Sequence, residues 1–165
     1  MNMKSTTIDP NGLSRPTFSA KLTQYSTFVV AGHLYGVPVM RVREVVRPMP
    51  ITAIPLANHF VHGLINLRGQ VVTAIGLHRL FEIKAPESAV LMNVICESGA
   101  SLVSLQADEI GDVIEMESGL LEPVPPTSSK RVTEFLAGVY QMPNRLLAII
   151  DVDKIFQEIE QVKSN

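Results

Sequence analysis

The residues with most scope for specific chemistry lie in one run, Gly63-Leu64-Ile65-Asn66-Leu67-Arg68-Gly69-Gln70-Val71-Val72. Arg68 sits between a leucine and a glycine in what reads as a tight turn. A planar guanidinium there is suited to fork onto a carboxylate or onto backbone carbonyls. Two uses stay open for it: clamping a neighbouring loop inside the fold, or contacting a partner. Gly69 supplies a position with φ > 0, and Asn66 can bond its own turn through its side-chain amide. Upstream, Val42 and Glu44 follow a run of alternating apolar residues. An exposed valine beside a carboxylate would give an apolar anchor with a polar rim. The alternative packs Val42 in the core and pairs Glu44 with Arg41 or Arg47.

Other reactive residue types do not assemble into a site. His59-x-x-His62 has ligand-like spacing but lacks a third ligand. The single cysteine, Cys96, lies in an apolar run and reads as a buried hydrophobe. Asp108, Glu109 and Asp112 are acidic enough for acid–base work, yet no nucleophile or base accompanies them, so they read as a solvated or partner-facing surface. The chain has no G-x-S-x-G, P-loop, Rossmann fingerprint or H-E-x-x-H. We therefore assign no catalytic residue, no cofactor and no metal.

Composition narrows the class further. A chain of 165 residues suits one domain or two small half-domains sharing a core. With 46% apolar and 18% charged residues it is a folded chain rather than a disordered one. Only 5% aromatics, no tryptophan and a pI near 6.1 oppose a small-barrel nucleic-acid-binding module, the main rival reading, which wants a basic face with stacking platforms. A small hydrolase lacks its constellation. The uncharged stretch from Pro48 to Leu67 holds three prolines and several polar residues, so direct membrane insertion is not expected. Met1 to Pro10 has no apolar segment of the signal-peptide kind, and the chain reads as cytoplasmic. Charge is uneven. Ala85 to Ser129 carries eight acidic residues and no Lys or Arg, whereas Arg41 to Arg79 carries five arginines against Glu44. The split suits either two solvated faces or a protein that neighbours read through its surface charge.

These residues need a β framework to position them. Residues 1–24 are polar and punctuated by Pro and Gly, and read as a flexible arm. Short β-rich runs follow at Thr27–Ala31, Tyr35–Met40, Gln70–Ile75, Ala89–Cys96, Ser101–Gln106 and Leu146–Ile150. Tyr35, Val37 and Val39 alternate as in a half-buried strand. Many short strands at this spacing imply small barrels or a sandwich. One C-terminal helix is expected over about 152–163, capped by Asp151 or Asp153, with Ile155, Ile159 and Val162 on one face. A turn of helix is expected at Leu77 to Phe81.

The chain also repeats itself. A shift of 75 residues lays 63–81 on 138–156 without a gap. Gly63/Gly138 and Phe81/Phe156 are identical, Arg79/Lys154 keep their charge, and eight further pairs are both aliphatic or Met. At this composition about a fifth of pairs would both be apolar by chance, so the excess marks a real repeat. A weaker echo aligns 42–46 with 110–114. The expected organisation is two internal halves, about 25–86 and 87–157, that share one core within a single domain over 25–165. The turn chemistry was kept in one half only, since Gln141-Met142-Pro143-Asn144 replaces Asn66-Leu67-Arg68-Gly69.

The run from Gly63 to Val72, followed by Leu77 and Phe81, resembles the signature of the CheW family. The resemblance extends upstream through Phe28-Val29-Val30, Tyr35 to Val39 and Val42 to Val45. Downstream it takes in Asp108 to Val113 and Leu146 to Lys154, and in all it covers about residues 26–157. It implies a mainly β fold of two SH3-like five-stranded barrels around a shared apolar core, with a C-terminal α-helix. It implies a non-enzymatic adaptor that couples the cytoplasmic signalling tips of methyl-accepting chemoreceptors to a histidine kinase of the CheA type, recruited to membrane-associated receptor arrays. It places Val42 and Glu44 toward the receptor tip and, with Asn66, Arg68 and Gly69, in a partner-binding set. One departure stands out. The family pattern P-x-x-D-L is here Thr73-Ala74-Ile75-Gly76-Leu77, so Gly76 replaces the acid while Asp151 keeps it in the second repeat. That loss leaves open a diverged adaptor serving a twitching or second-messenger system.

Overall fold

A computed structural model of the chain describes residues 4–8, 10, 12, 14–18, 20–85, 90–126 and 128–163. In chain order the strands are β1 (Lys4–Ile8), β2 (Ser14–Phe18), β3 (Leu22–Val30), β4 (His33–Pro38), β5 (Val42–Val46), β6 (Val61–Leu67) and β7 (Gln70–Gly76). After the short helix α1 (Leu77–Leu80) come β8 (Met92–Ser98), β9 (Ser101–Ala107) and β10 (Glu109–Glu117). The chain then forms α2 (Lys130–Glu134), β11 (Leu136–Gln141), β12 (Leu146–Ile150) and α3 (Val152–Lys163). Two five-stranded sheets result, ordered β10-β3-β4-β12-β11 and β5-β8-β9-β7-β6. Within them only β12 with β4 and β7 with β9 run parallel. The mainly β architecture with a C-terminal helix agrees with the sequence reading.

The sequence halves do not coincide with the sheets. The first sheet takes β3 and β4 from one half and β10 to β12 from the other, and the second takes β5 to β7 with β8 and β9. The repeat pairs β6 with β11 and β7 with β12, and the echo pairs β5 with β10. Chain order then pairs β3 with β8 and β4 with β9. Substituting each strand by its counterpart converts one sheet order into the other. The repeat is therefore a strand exchange within one chain.

The apolar residues sort into three clusters that follow this exchange. Tyr25, Leu34, Tyr140, Leu147 and Ile149 pack within the first sheet. Ile65, Leu67, Val72, Ala74 and Ile95 pack within the second. The largest cluster lies between the sheets and contains both members of each repeat pair Phe60/Phe135, Ile75/Ile150, Leu77/Val152, Leu80/Ile155 and Phe81/Phe156. Arg131 lies over the rings of Phe60 and Phe135 at 5.6 and 5.2 Å. The repeat glycines have one shared reason. A Cβ on Gly138 would come within 2.6 Å of the Glu122 carbonyl, and one on Gly63 would strike the Thr52 carbonyl. At each place an incoming segment bridges its sheet, Glu122 to Val139 and Thr52 to Leu64.

Several elements differ from expectation. Strand β4 is buried on both faces rather than one, because Leu34 enters the cluster within the first sheet and Tyr35 and Val37 the cluster between sheets. The expected arm contains a hairpin of β1 and β2, paired with each other and outside both five-stranded sheets. Positions 1–3, 9, 11, 13 and 19 of that arm, Ala89 at the head of one expected strand, and the side chain of Val162 lie outside the described residues. In α3 Asp151 is the cap, its Oδ1 accepting from Lys154 N–H at 3.2 Å, while Asp153 is used elsewhere.

The exchange predicts complementation. The fragments 1–85 and 90–165, each too short to bury an adequate core, are expected to be unfolded singly and to co-elute as one folded species when co-expressed. Size exclusion and far-UV circular dichroism check this, and a fragment that folds alone as a monomer would contradict it.

Candidate functional site

The turn between β6 and β7 has two residues, Arg68 and Gly69, with φ of +52° and +86°. Two consecutive positive φ values match the right-handed twist of the flanking strands, as a type I′ hairpin turn requires. Asn66 Oδ1 accepts from Gly69 N–H at 2.8 Å, so the asparagine ties the turn from within. Gly69 and Asn66 therefore shape the turn, and Arg68 is left to project from it.

Arg68 projects onto Glu44. Its Nη1 and Nη2 donate to Glu44 Oε1 and Oε2, both at 2.7 Å, in a forked pair. The arginine side chain is 73% exposed and the carboxylate 22%. Glu44 stands on β5 and Arg68 beside β6, the two opposite edges of the second sheet. The fork thus joins the sheet's edges and closes it on itself. Bonding to the guanidinium holds the Glu44 carboxyl below its ordinary pKa, so the pair is ionised at neutral pH. A guanidinium has five N–H donors and the fork uses two.

Val42 does not join them as an exposed anchor. The pairing of β5 with β8 slips at Arg43: Val42 faces Cys96, whereas Glu44 faces Ile95. Adjacent residues on β8 point to opposite faces, so this bulge sends Val42 toward the inter-sheet core and Glu44 to the other face. Val42 is half-buried. Exposed apolar side chains occur on the elements that carry the fork: Val45 follows Glu44 on β5, and Val71 lies two residues past Gly69 on β7. Sequence alternation could not place Val42, because the one-residue bulge at Arg43 inverts its facing relative to Glu44.

Of the alternative partners foreseen for Glu44, Arg41 forks onto Asp153 instead, and Glu44 takes Arg68 rather than Arg47. Asp108, read as surface, bonds the buried His78 instead. Charge differs between counterpart strands. Glu109, Asp112, Glu115 and Glu117 are exposed on β10, an edge of the first sheet, whereas β5, its counterpart in the second, balances exposed Arg43 against Glu44.

The two histidines of His59-x-x-His62 diverge. His59 packs edge-on against Phe60, and His62 bonds Gln106 through Nδ1. Gln106 and Ser104 in turn donate to Asn93 Oδ1. Among the described residues no three His, Cys, Asp or Glu side chains gather as a metal site would need. Cys96 is fully buried, and its thiol is pushed up to about 12 by burial. His62 is the extra residue of a bulge between Val61 and Gly63, mirrored by Ala137 between Leu136 and Gly138. Its ring fills the space that a side chain at Gly76 would occupy. One half thus carries His62 with Gly76, the other Ala137 with Asp151. The missing acid has a steric cause, and α1 has no side-chain cap as a result.

A CheW-like domain model matches residues 24–160. A probable chemotaxis protein CheW of Rhizobium etli is 28% identical over 134 residues, 81% of this chain and 86% of that one. The chemotaxis protein CheW of Treponema pallidum is 28% identical over 149 residues, 85% of each chain. The crystal structure of scaffolding protein TtCheW from Thermoanaerobacter tengcongensis superposes with a TM-score of 0.72 at 29% identity, over 81% of this chain and 87% of that one.

Two outcomes follow for the histidine bulge. Gly76→Asp is expected to destabilise by about 1–3 kcal/mol through overpacking, and His62→Ala in the same chain to recover most of that loss, as urea titrations of the cycle would show. Burial lowers the pKa of His62, the Gln106 bond opposing it, so the unfolded chain binds a proton more readily. Stability should therefore fall as pH drops below about 6.5, the unperturbed value, and that loss should shrink in His62→Gln.

Proposed function

Since the chain belongs to the CheW-like domain family, whose members are non-enzymatic adaptors of chemotaxis signalling, we propose that it couples chemoreceptors to a CheA-type histidine kinase through two surfaces. The match over residues 24–160 carries this reading. The partners are the cytoplasmic signalling tip of a methyl-accepting receptor and the kinase. No helix among the described residues is long and apolar enough to cross a membrane, and the protein works in the cytoplasm, drawn to membrane-associated arrays by its partners.

The contact we assign to partner recognition is the Glu44–Arg68 fork with its turn, Asn66 and Gly69. An exposed ion pair adds little to stability, since water and salt screen it. What it adds is presentation. Glu44 holds the guanidinium in one orientation, so little side-chain entropy remains to be lost when a carboxylate or carbonyl of a partner takes the other donors. Val45 on β5 and Val71 on β7 add exposed apolar surface on the strands that carry the fork and its turn, while Val42 supports β5 from the core side.

Arg68→Glu sets two carboxylates against each other at this rim. It is expected to lower recruitment into a ternary complex with receptor tips and kinase several-fold, while shifting Tm by no more than about 4 °C, the shift that roughly 1 kcal/mol gives in a domain of this size. Co-sedimentation and thermal melts check both. A variant that unfolds would make Arg68 structural, and a wild-type chain that never co-sediments would end the adaptor reading.

A further inference from the structure

The chain passes between the sheets at two pseudo-equivalent crossovers, and each carries a charged residue just before the strand it enters. Arg41 ends the 3₁₀ turn Val39–Arg41 that leads from β4 in the first sheet to β5 in the second. Asp108 stands between β9 of the second sheet and β10 of the first. Each residue reaches two elements. Arg41 forks onto Asp153, second residue of α3, at 3.1 and 2.6 Å, and donates through Nε to the Glu97 carbonyl of β8 at 3.1 Å. Asp108 Oδ2 accepts from His78 Nε2, second residue of α1, at 3.1 Å, and from Ala31 N–H beside β3 at 2.7 Å.

The two sets correspond term by term. His78 and Asp153 are 75 residues apart, the repeat shift. β8 is the neighbour of β5, and β3 the neighbour of β10. Only the polarity differs: a cation on the crossover meets an acid on the helix in one, and an acid meets a histidine in the other. Hydrophobic burial between the sheets is not directional, so it favours contact without choosing an angle. Forked charge-assisted bonds are directional.

We propose that Arg41 and Asp108 are positioning residues, two inter-sheet clamps of opposite polarity that fix the orientation of one sheet against the other. They hold the two faces at the separation an adaptor needs, a consequence that rests on the adaptor reading, whereas the orientation itself does not.

The test measures that orientation directly. Spin labels on Val71→Cys and Val113→Cys, both exposed and on different sheets, report the inter-sheet distance by pulsed dipolar spectroscopy, with buried Cys96 left unlabelled. The parent is expected to give one narrow distribution, and Arg41→Ala a broader or shifted one. Combining Arg41→Asp with Asp153→Arg copies the polarity of the other clamp and is expected to restore the parent distribution. An unchanged distribution in Arg41→Ala, or no recovery in the reversed pair, overturns the proposal. The pair is at the surface, so these variants should fold; melting curves check this, and Arg41→Lys, which keeps charge but not the fork, should fall between parent and alanine. With partners added, Arg41→Ala is expected to bind receptor tip and kinase singly but to form several-fold less ternary complex. If even the parent binds neither, the adaptor reading fails while the distance result still decides the clamps.

Discussion

The constraint from which the rest follows is that neither sheet can be completed by the strands of one sequence half. β4 needs β12, from the other end of the chain, and β9 needs β7. Each of these parallel pairings brings the helix that follows its strand, α3 after β12 and α1 after β7. The helices then deliver Leu77, Leu80 and Phe81 from one half, and Val152, Ile155 and Phe156 from the other, to a single cluster between the sheets. Burying such side chains contributes about 1.5–3 kcal/mol each, so removing either sheet would expose the other's best-packed surface. The two sheets therefore fold and unfold together.

A frame exchanged in this way must solve the same local problems twice, and it does so with similar parts. Each sheet is bridged by a segment that passes a glycine too closely for any side chain, Thr52 at Gly63 and Glu122 at Gly138. Each has a bulge one residue before that glycine. The polar contacts at the two sheets differ. In the second the Glu44–Arg68 fork joins the edge strands β5 and β6, whereas in the first Gln141 Nε2 of β11 donates to Glu122, in the segment that bridges beside that same strand.

Much of the frame was legible beforehand because it rests on apolar periodicity. The pairing of 63–81 with 138–156 locates β6 with β11, β7 with β12 and α1 with α3. The exchange was not legible, since a repeat states which segments are alike and says nothing about which sheet each joins. Strands β5 and β10 were visible only as an echo, because bulges at Arg43 and between Ile110 and Val113 break their alternation. The same bulge explains why Val42 was expected beside Glu44. At the site the turn residues were readable, as Asn66 and Gly69 have local chemistry, and the guanidinium's need for a carboxylate was readable too. Its choice of Glu44 was not, because the partner is set by sheet closure.

The contrast between what the halves kept and what they changed bears on how an adaptor becomes two-sided. Apolar repeat positions are matched almost throughout: Val72 with Leu147, Ala74 with Ile149, Ile75 with Ile150. Several other positions are not: Arg68 aligns with Pro143, His62 with Ala137 and Gly76 with Asp151, although Arg79 and Lys154 keep their charge. Changing a residue of the cluster between the sheets, such as Ile75 or Ile150, disturbs both sheets at once, whereas changing a rim residue alters one face and leaves the frame in place. An exchanged fold therefore lets charge diverge while geometry cannot. Acidic β10 and charge-balanced β5, with Arg43 against Glu44, occupy equivalent strands for that reason, and partners meeting equivalent geometry would distinguish the faces by charge.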